Sequence, residues 1–473
     1  MTSRTRTVGL ALVALAGLMT LHSAAAAPAY RMSLDVDYAE GTFQGDVTVL
    51  CENRTPVALD ELFFRLYGNA DALYGAASIE VTSTLVAGDA AATALYAEDT
   101  VLFVPLARPL APGESIEVRL TFQGRAARAS EAGFATETEY GLLTKSPEVL
   151  TLTAFYPLLA PYTEEGWALD PVDSVGDALF ADAATYDVSL VVDPDVSVIP
   201  RADTTSLEPD GRVRLSFART AMRDFPLVFV ASDRTPLEAV SDGIILRSWF
   251  PPRHAEASAV ALDRGAVAVG IYSALFGALP YACVDIVEAP LQRAAGVEFS
   301  GLFLVAGANA ANPQDPFFDV IISHEMAHQW FYAAVGNDPT EEPWLDEALA
   351  TYASNVFLSV AVSAAAAQGE RTAWAATYDR AQQVRPDLRV TSPVYEFPDS
   401  GTYSAFVYSG GAFELDALRR EIGDDAFFAA LADYYVTHTA GIARGADLSA
   451  SFRRACECWP TSALFDGDSA PGP

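Results

Sequence analysis

The hydrophobic period changes once along the chain, near residue 236, and that change limits the possible folds more than any single motif. Across residues 30–235, short apolar segments alternate with polar residues: MSLDVDY, GDVTVLCEN, ELFFRLY, SIEVRLTF, TYDVSLVV and RVRLSFA. A period of two places successive side chains on opposite faces of a strand. Gly113, Pro194 and the turn Pro209-Asp210-Gly211 fall between these segments, where strand connections need them. Beyond Pro236 only three strand-like runs remain, GIILRSWF, CVDIVEA and GLFLVAG, and Ala-rich helical stretches then fill roughly 316–455. The pattern predicts an α+β chain, with an all-β domain over 28–235, a mainly helical domain over 236–460 and a disordered polar tail over 461–473.

The first residues follow a different logic. Arg4 and Arg6 precede an apolar run over residues 8–21, and small residues follow over 23–27. This predicts a secretory signal peptide over 1–27 and a secreted or periplasmic location. The run is too short for a membrane span. No later stretch reaches eighteen uninterrupted apolar residues, so no integral membrane segment is expected once the leader is removed. The chain as a whole is acidic, with 29 Lys+Arg against 62 Asp+Glu and a formal net charge of −33. Such a surface repels a phosphate backbone and argues against nucleic-acid partners. Cys51, Cys283, Cys456 and Cys458 are too scattered to form a disulfide framework, so the fold rests on its core and a bridge in the 456–458 segment stays open. Oligomeric state is not encoded in any of these features.

One segment carries chemistry. Residues 316–335 read as a single buried helix: Asp315 can cap it, Pro316 suits its first position, and Gly336-Asn337 with Pro339 stops it. His324 and His328 are four apart, so both imidazoles leave the same face one turn apart. That spacing suits two nitrogen ligands on one Zn²⁺, with Glu325 beside them to act as a base. A second helix, over 343–352, is expected after a short turn, and two antiparallel helices bring Glu347 opposite the middle of the first. A Glu among apolar helix positions is costly to bury unless a cation accompanies it, so Glu347 is the natural third ligand. Two imidazoles, a carboxylate and an open position describe a catalytic metal site.

HEMAHQW followed by PWLDEALATY resembles the M1 family of zinc aminopeptidases, the gluzincins. The likeness extends to YRMSLDVDYAEGTFQGDVTV at the start, FYPLLAPYTEEGW and ATYDVSLVV in the middle, and LPYACVDIV ahead of the helices. It implies a saddle-like β domain followed by a thermolysin-like catalytic domain, in a compact two-domain form. It also implies one Zn²⁺, peptide substrates and removal of N-terminal residues. The family's GxMEN motif corresponds to Ala295-Gly-Val-Glu-Phe299, so the resemblance assigns Glu298 to the substrate's α-ammonium. Tyr408, in Tyr408-Ser-Gly-Gly411, matches the family's oxyanion-stabilising tyrosine, and Tyr403 has a counterpart lining the pocket. Because the motif around Glu298 is altered, an endopeptidase or another hydrolase on the same scaffold is the competing reading. A non-catalytic binding protein is disfavoured, since every catalytic position is filled.

Overall fold

The computed structural model describes residues 28–130, 133–134, 140–232, 234–456 and 462–465. The predicted leader, Cys458 and residues 466–473 lie outside them. The first half is β-rich, as its period of two requires. Strand Ala29–Asp37 pairs antiparallel with Thr42–Glu52 and parallel with Ala184–Val192, inside an eight-stranded sheet. Tyr30, Met32, Leu34 and Val36 point into the core, while Arg31 and Ser33 face out.

The second half opens with a five-stranded sheet made by Leu237–Ser241, Ile244–Trp249, Cys283–Ala289, Leu302–Ala306 and Gly296–Phe299, in that order across the sheet. The last of these is an edge strand. Helix α1, Ala255–Phe276, lies over the sheet. The stretch Pro252–Phe276 is long and apolar enough to cross a membrane by length and composition. In the fold its Ala257, Ala261, Ala268, Tyr272 and Phe276 form one buried stripe at helical spacing, so it is packed as a core helix. Helices α2 (Pro316–Ala327), α3 (Trp344–Phe357) and α4 (Ala364–Val384) follow. The whole is α+β, a β-rich domain followed by a helical one.

Three expectations need correction. The helix expected over 316–335 ends at Ala327: the backbone continues in turns, Tyr332 takes a positive φ of 126°, and tertiary bonds hold the segment there. Gln329 donates to Phe299 O at 3.0 Å and accepts from Gly301 N at 2.9 Å, and the buried guanidinium of Arg223 bonds the carbonyls of Tyr332 and Ala334. The link to α3 is therefore the whole of 328–343, not a short turn, and α3 itself runs on to Phe357. The tail expected to be disordered over 461–473 contains a 3₁₀ turn at Ala463–Phe465, with Leu464 and Phe465 buried and Phe465 against Phe452. Cys456 is disulfide-bonded, whereas Cys51 and Cys283 are free.

Candidate active site

Asp315 accepts from Phe317 N at 3.0 Å and starts α2 with Pro316 in its first turn, so the helix begins where its capping residues dictate. From there His324 and His328 emerge on one face. Their Nε2 atoms lie 3.0 Å apart, and Glu347 Oε2 on α3 lies 3.1 Å from His324 Nε2 and 3.4 Å from His328 Nε2. A tetrahedral ion bound about 2.0–2.1 Å from nitrogen and oxygen donors separates its ligand atoms by about 3.3 Å, so this triangle fits zinc. His328 Nδ1 sits 3.0 Å from Phe331 O. A carbonyl only accepts, so Nδ1 carries a proton, and Nε2 is the nitrogen turned towards His324 and Glu347.

Above the triangle is a cavity of about 420 Å³ lined by His324, Glu325, Glu347, Glu298, Tyr403 and Tyr408. His328 lies beneath them, fully buried. All seven residues singled out in the sequence therefore meet at one place. Glu325 Oε2 is buried without a hydrogen-bond partner, so one oxygen of this carboxylate is available to a proton. Glu298 stands on the edge strand, and Gly296, two residues before it, passes close to the base: a Cβ there would lie 2.4 Å from Glu325 Oε1.

Tyr408 reaches the cavity through an irregularity. The helix Ser400–Ser404 continues into a π-helical turn, Ala405–Gly410, and then into Gly411–Ile422. Residues five apart diverge by about 140° in an α-helix but stack where the turn closes i to i+5. Tyr403 and Tyr408 are thus both turned inward, their rings 5.8 Å apart. The Tyr408 hydroxyl donates to Glu347 Oε1. Close approach of the two helices depends on Gly411, where a Cβ would come 2.3 Å from the Ala348 Cβ.

Residues 292–464 match the family model for the peptidase family M1 domain. That stretch is similar to an M1 peptidase domain. The chain is 24% identical over 316 residues to Tricorn protease-interacting factor F2 of Thermoplasma volcanium, covering 60% of this chain and 38% of that protein. It is 23% identical over 443 residues to Aminopeptidase M1 of Arabidopsis thaliana, covering 89% of this chain and 47% of the relative. The chain therefore spans less than half the length of these two relatives. The solved structure of the M1 zinc metallopeptidase from Deinococcus radiodurans shares the fold, with a TM-score of 0.62 at 20% identity over 94% of this chain and 96% of that one. The cofactor this family implies is zinc.

The cavity concentrates negative charge out of water. Burial pushes the Glu325 carboxyl up to about 8, with the Glu347 charge adding to it. Burial, then the neighbouring Asp177, raises Glu298. Burial also works against ionised Glu347, but hydrogen bonds from His324 and His328 outweigh it and hold that carboxyl well below its usual range. A cavity in which several carboxylates share two imidazoles is short of positive charge, and a divalent cation together with a substrate ammonium would supply it.

Sequence reading missed Asp177, which enters this cavity from the β-rich half, where burial and then the Glu347 charge raise its carboxyl. It lies in an irregular stretch, DPVDSVGDALFADA, and no spacing distinguishes it from the other acids there. Arg223 and Asp224 were missed as well. Asp224 accepts from Ser300 N at 2.9 Å and from the Tyr332 hydroxyl, tying the edge strand to the loop that follows His328. The adjacency of two opposite charges at a strand end was the available signal.

Proposed function

We propose that this protein is a zinc-dependent aminopeptidase, holding one Zn²⁺ on His324, His328 and Glu347 and releasing N-terminal residues from peptides. The observation that carries this is the triangle of donor atoms 3.0–3.4 Å apart beneath a cavity that also holds Glu325, Glu298 and Tyr408. When bound, the zinc supplies a Lewis acid that polarises the scissile carbonyl and lowers the pKa of water. Glu325 takes the proton from the attacking water through its unpartnered oxygen and passes it to the departing amine as the C–N bond breaks. The Tyr408 hydroxyl donates to the oxyanion of the tetrahedral intermediate. Glu298 pairs with the free α-ammonium, fixing which bond is presented.

A variant of the Deinococcus radiodurans enzyme has been solved with a Tyr-Ser-Ala substrate, and its shared fold supports peptides as the substrate class. The leader-like composition of residues 1–27 supports action outside the cytoplasm. The test is elemental analysis combined with turnover of aminoacyl fluorogenic substrates, free or N-acetylated. One zinc per chain, lost with His324→Ala or His328→Ala, and turnover of the free substrates alone are the expected results. A metal-free protein, or equal cleavage of blocked and free substrates, would overturn the reading.

A further inference from the structure

The edge strand gives the cleft a direction. Gly296–Phe299 pairs on one side with Leu302–Ala306 and, among the described residues, with no strand on the other, so an extended peptide can lie along its open edge. Glu298 and Gly296 are two apart and therefore share a face of that strand. The base Glu325 stands against Gly296, because a Cβ there would meet its carboxylate. Taking the aminopeptidase reading as the starting point, the substrate ammonium lies at Glu298 and the scissile bond lies by Gly296. The departing part of the substrate then continues past Ala295 and Ala294 towards Arg293.

Arg293 is the one Lys or Arg among the described residues lining this cavity, whose other charged walls include Asp177, Glu298, Glu347 and Glu370. Its side chain is exposed, it forms no ion pair among the described residues, and its guanidinium lies 4.9 Å over the Tyr140 ring. The ring holds the fork in place without neutralising it. A carboxylate entering such an acidic cleft is repelled unless a cation receives it, and a planar guanidinium can receive both oxygens at once.

We propose that Arg293 binds the C-terminal carboxylate of short peptides, making free tripeptides and tetrapeptides the preferred substrates. The length follows from the strand: the five steps from Glu298 back to Arg293 span at most about 16 Å at about 3.3 Å per residue, and the bends at Arg293 and Ala295 shorten this, so the site suits an extended peptide of fewer than about five residues. Longer peptides and amidated ones reach the metal without gaining this contact.

The experiment compares X-Ala-Ala with its C-terminal amide, where X is the residue released fastest from aminoacyl-coumarinylamides. Wild type, Arg293→Gln and Arg293→Lys are measured. In the wild-type enzyme the free acid should exceed the amide by about tenfold in kcat/KM, carried by KM and shrinking with added salt, as a solvent-facing charged contact does. Arg293→Gln should bring that ratio to about one, and Arg293→Lys should keep part of it. A ratio in Arg293→Gln equal to that of wild type, or a wild-type preference for the amide, would overturn the assignment. If the wild type cleaved neither peptides nor coumarinylamides, the aminopeptidase reading would fall separately. The carboxylate contact would then be read from calorimetric binding of the two tripeptides, where it requires the same tenfold difference in Kd.

Discussion

The floor of the cleft and its rim are built in different ways. The floor, His324, Glu325, His328 and Glu347, stands on the helices α2 and α3, where backbone geometry fixes the relative positions of residues one to four apart. The rim, Glu298, Asp177 and Arg293, stands on an edge strand and two irregular segments drawn from both halves of the chain. In the reaction proposed above, the floor holds groups that act on the reacting bond, and the rim holds groups that choose and orient the substrate. Chemistry is thus entrusted to rigid local periodicity, and selectivity to segments that can vary without disturbing it.

If that division holds, substitutions in the floor should strike kcat and those in the rim should strike selectivity. Glu325→Gln is the most severe case. It should retain the zinc and the fold, yet lower kcat by at least about 10³-fold, measured by steady-state turnover beside metal content. Tyr408→Phe should lower kcat by about 10²–10³-fold with little change in KM, since an oxyanion donor acts in the transition state. Tyr403→Phe should cost less. A larger loss for Tyr403→Phe would mean that the π-helical turn presents the other hydroxyl.

On the rim, Glu298→Ala should remove most of a wild-type preference of about 10²-fold for free over acetylated substrates, because the ammonium loses its charged partner. A fall in kcat on both substrates with the preference intact would blur the line between floor and rim.

The smallest effect concerns Asp224, which links the two. Burial pushes its carboxyl up to about 6 from an ordinary 3.8, so the folded protein holds this proton to higher pH than the unfolded chain does. The stability it contributes is complete below about pH 4 and is lost as pH rises through 6. The destabilisation caused by Asp224→Asn should therefore shrink by roughly 2–3 kcal/mol between pH 4 and pH 7, read from urea unfolding of both chelator-treated proteins.

How far the site could be read from the sequence follows the same division. His324, His328 and Glu325 were legible because a helix converts a spacing of four into proximity. Glu347 was legible because a carboxylate among apolar positions demands a cation. Glu298, Tyr403 and Tyr408 needed the family resemblance, since a strand-end Glu and one Tyr among nineteen have no distinctive spacing. Asp177, Arg223 and Asp224 were hidden, their roles created by residues far away in the chain. The β-rich and helical halves were apparent from the change of period. The end of α2 was not, because Tyr332 turns to a positive φ of 126° and its carbonyl is taken by Arg223, more than a hundred residues away in the chain.

The guanidinium of Arg223 donates to the carbonyls of Ala181, Tyr332, Ala334 and Gly441, the last 218 residues further along the chain. A ribosome making this protein therefore emits the arginine long before its final acceptor exists. Until the segment around Gly441 emerges, the guanidinium has no complete set of partners, even though His324, His328 and Glu347 have already been synthesised. The stretch 292–464 is consequently not a module that can be cut out and transplanted: excised, it would leave behind both Arg223 and Asp224, and with them the fastening of its own active site.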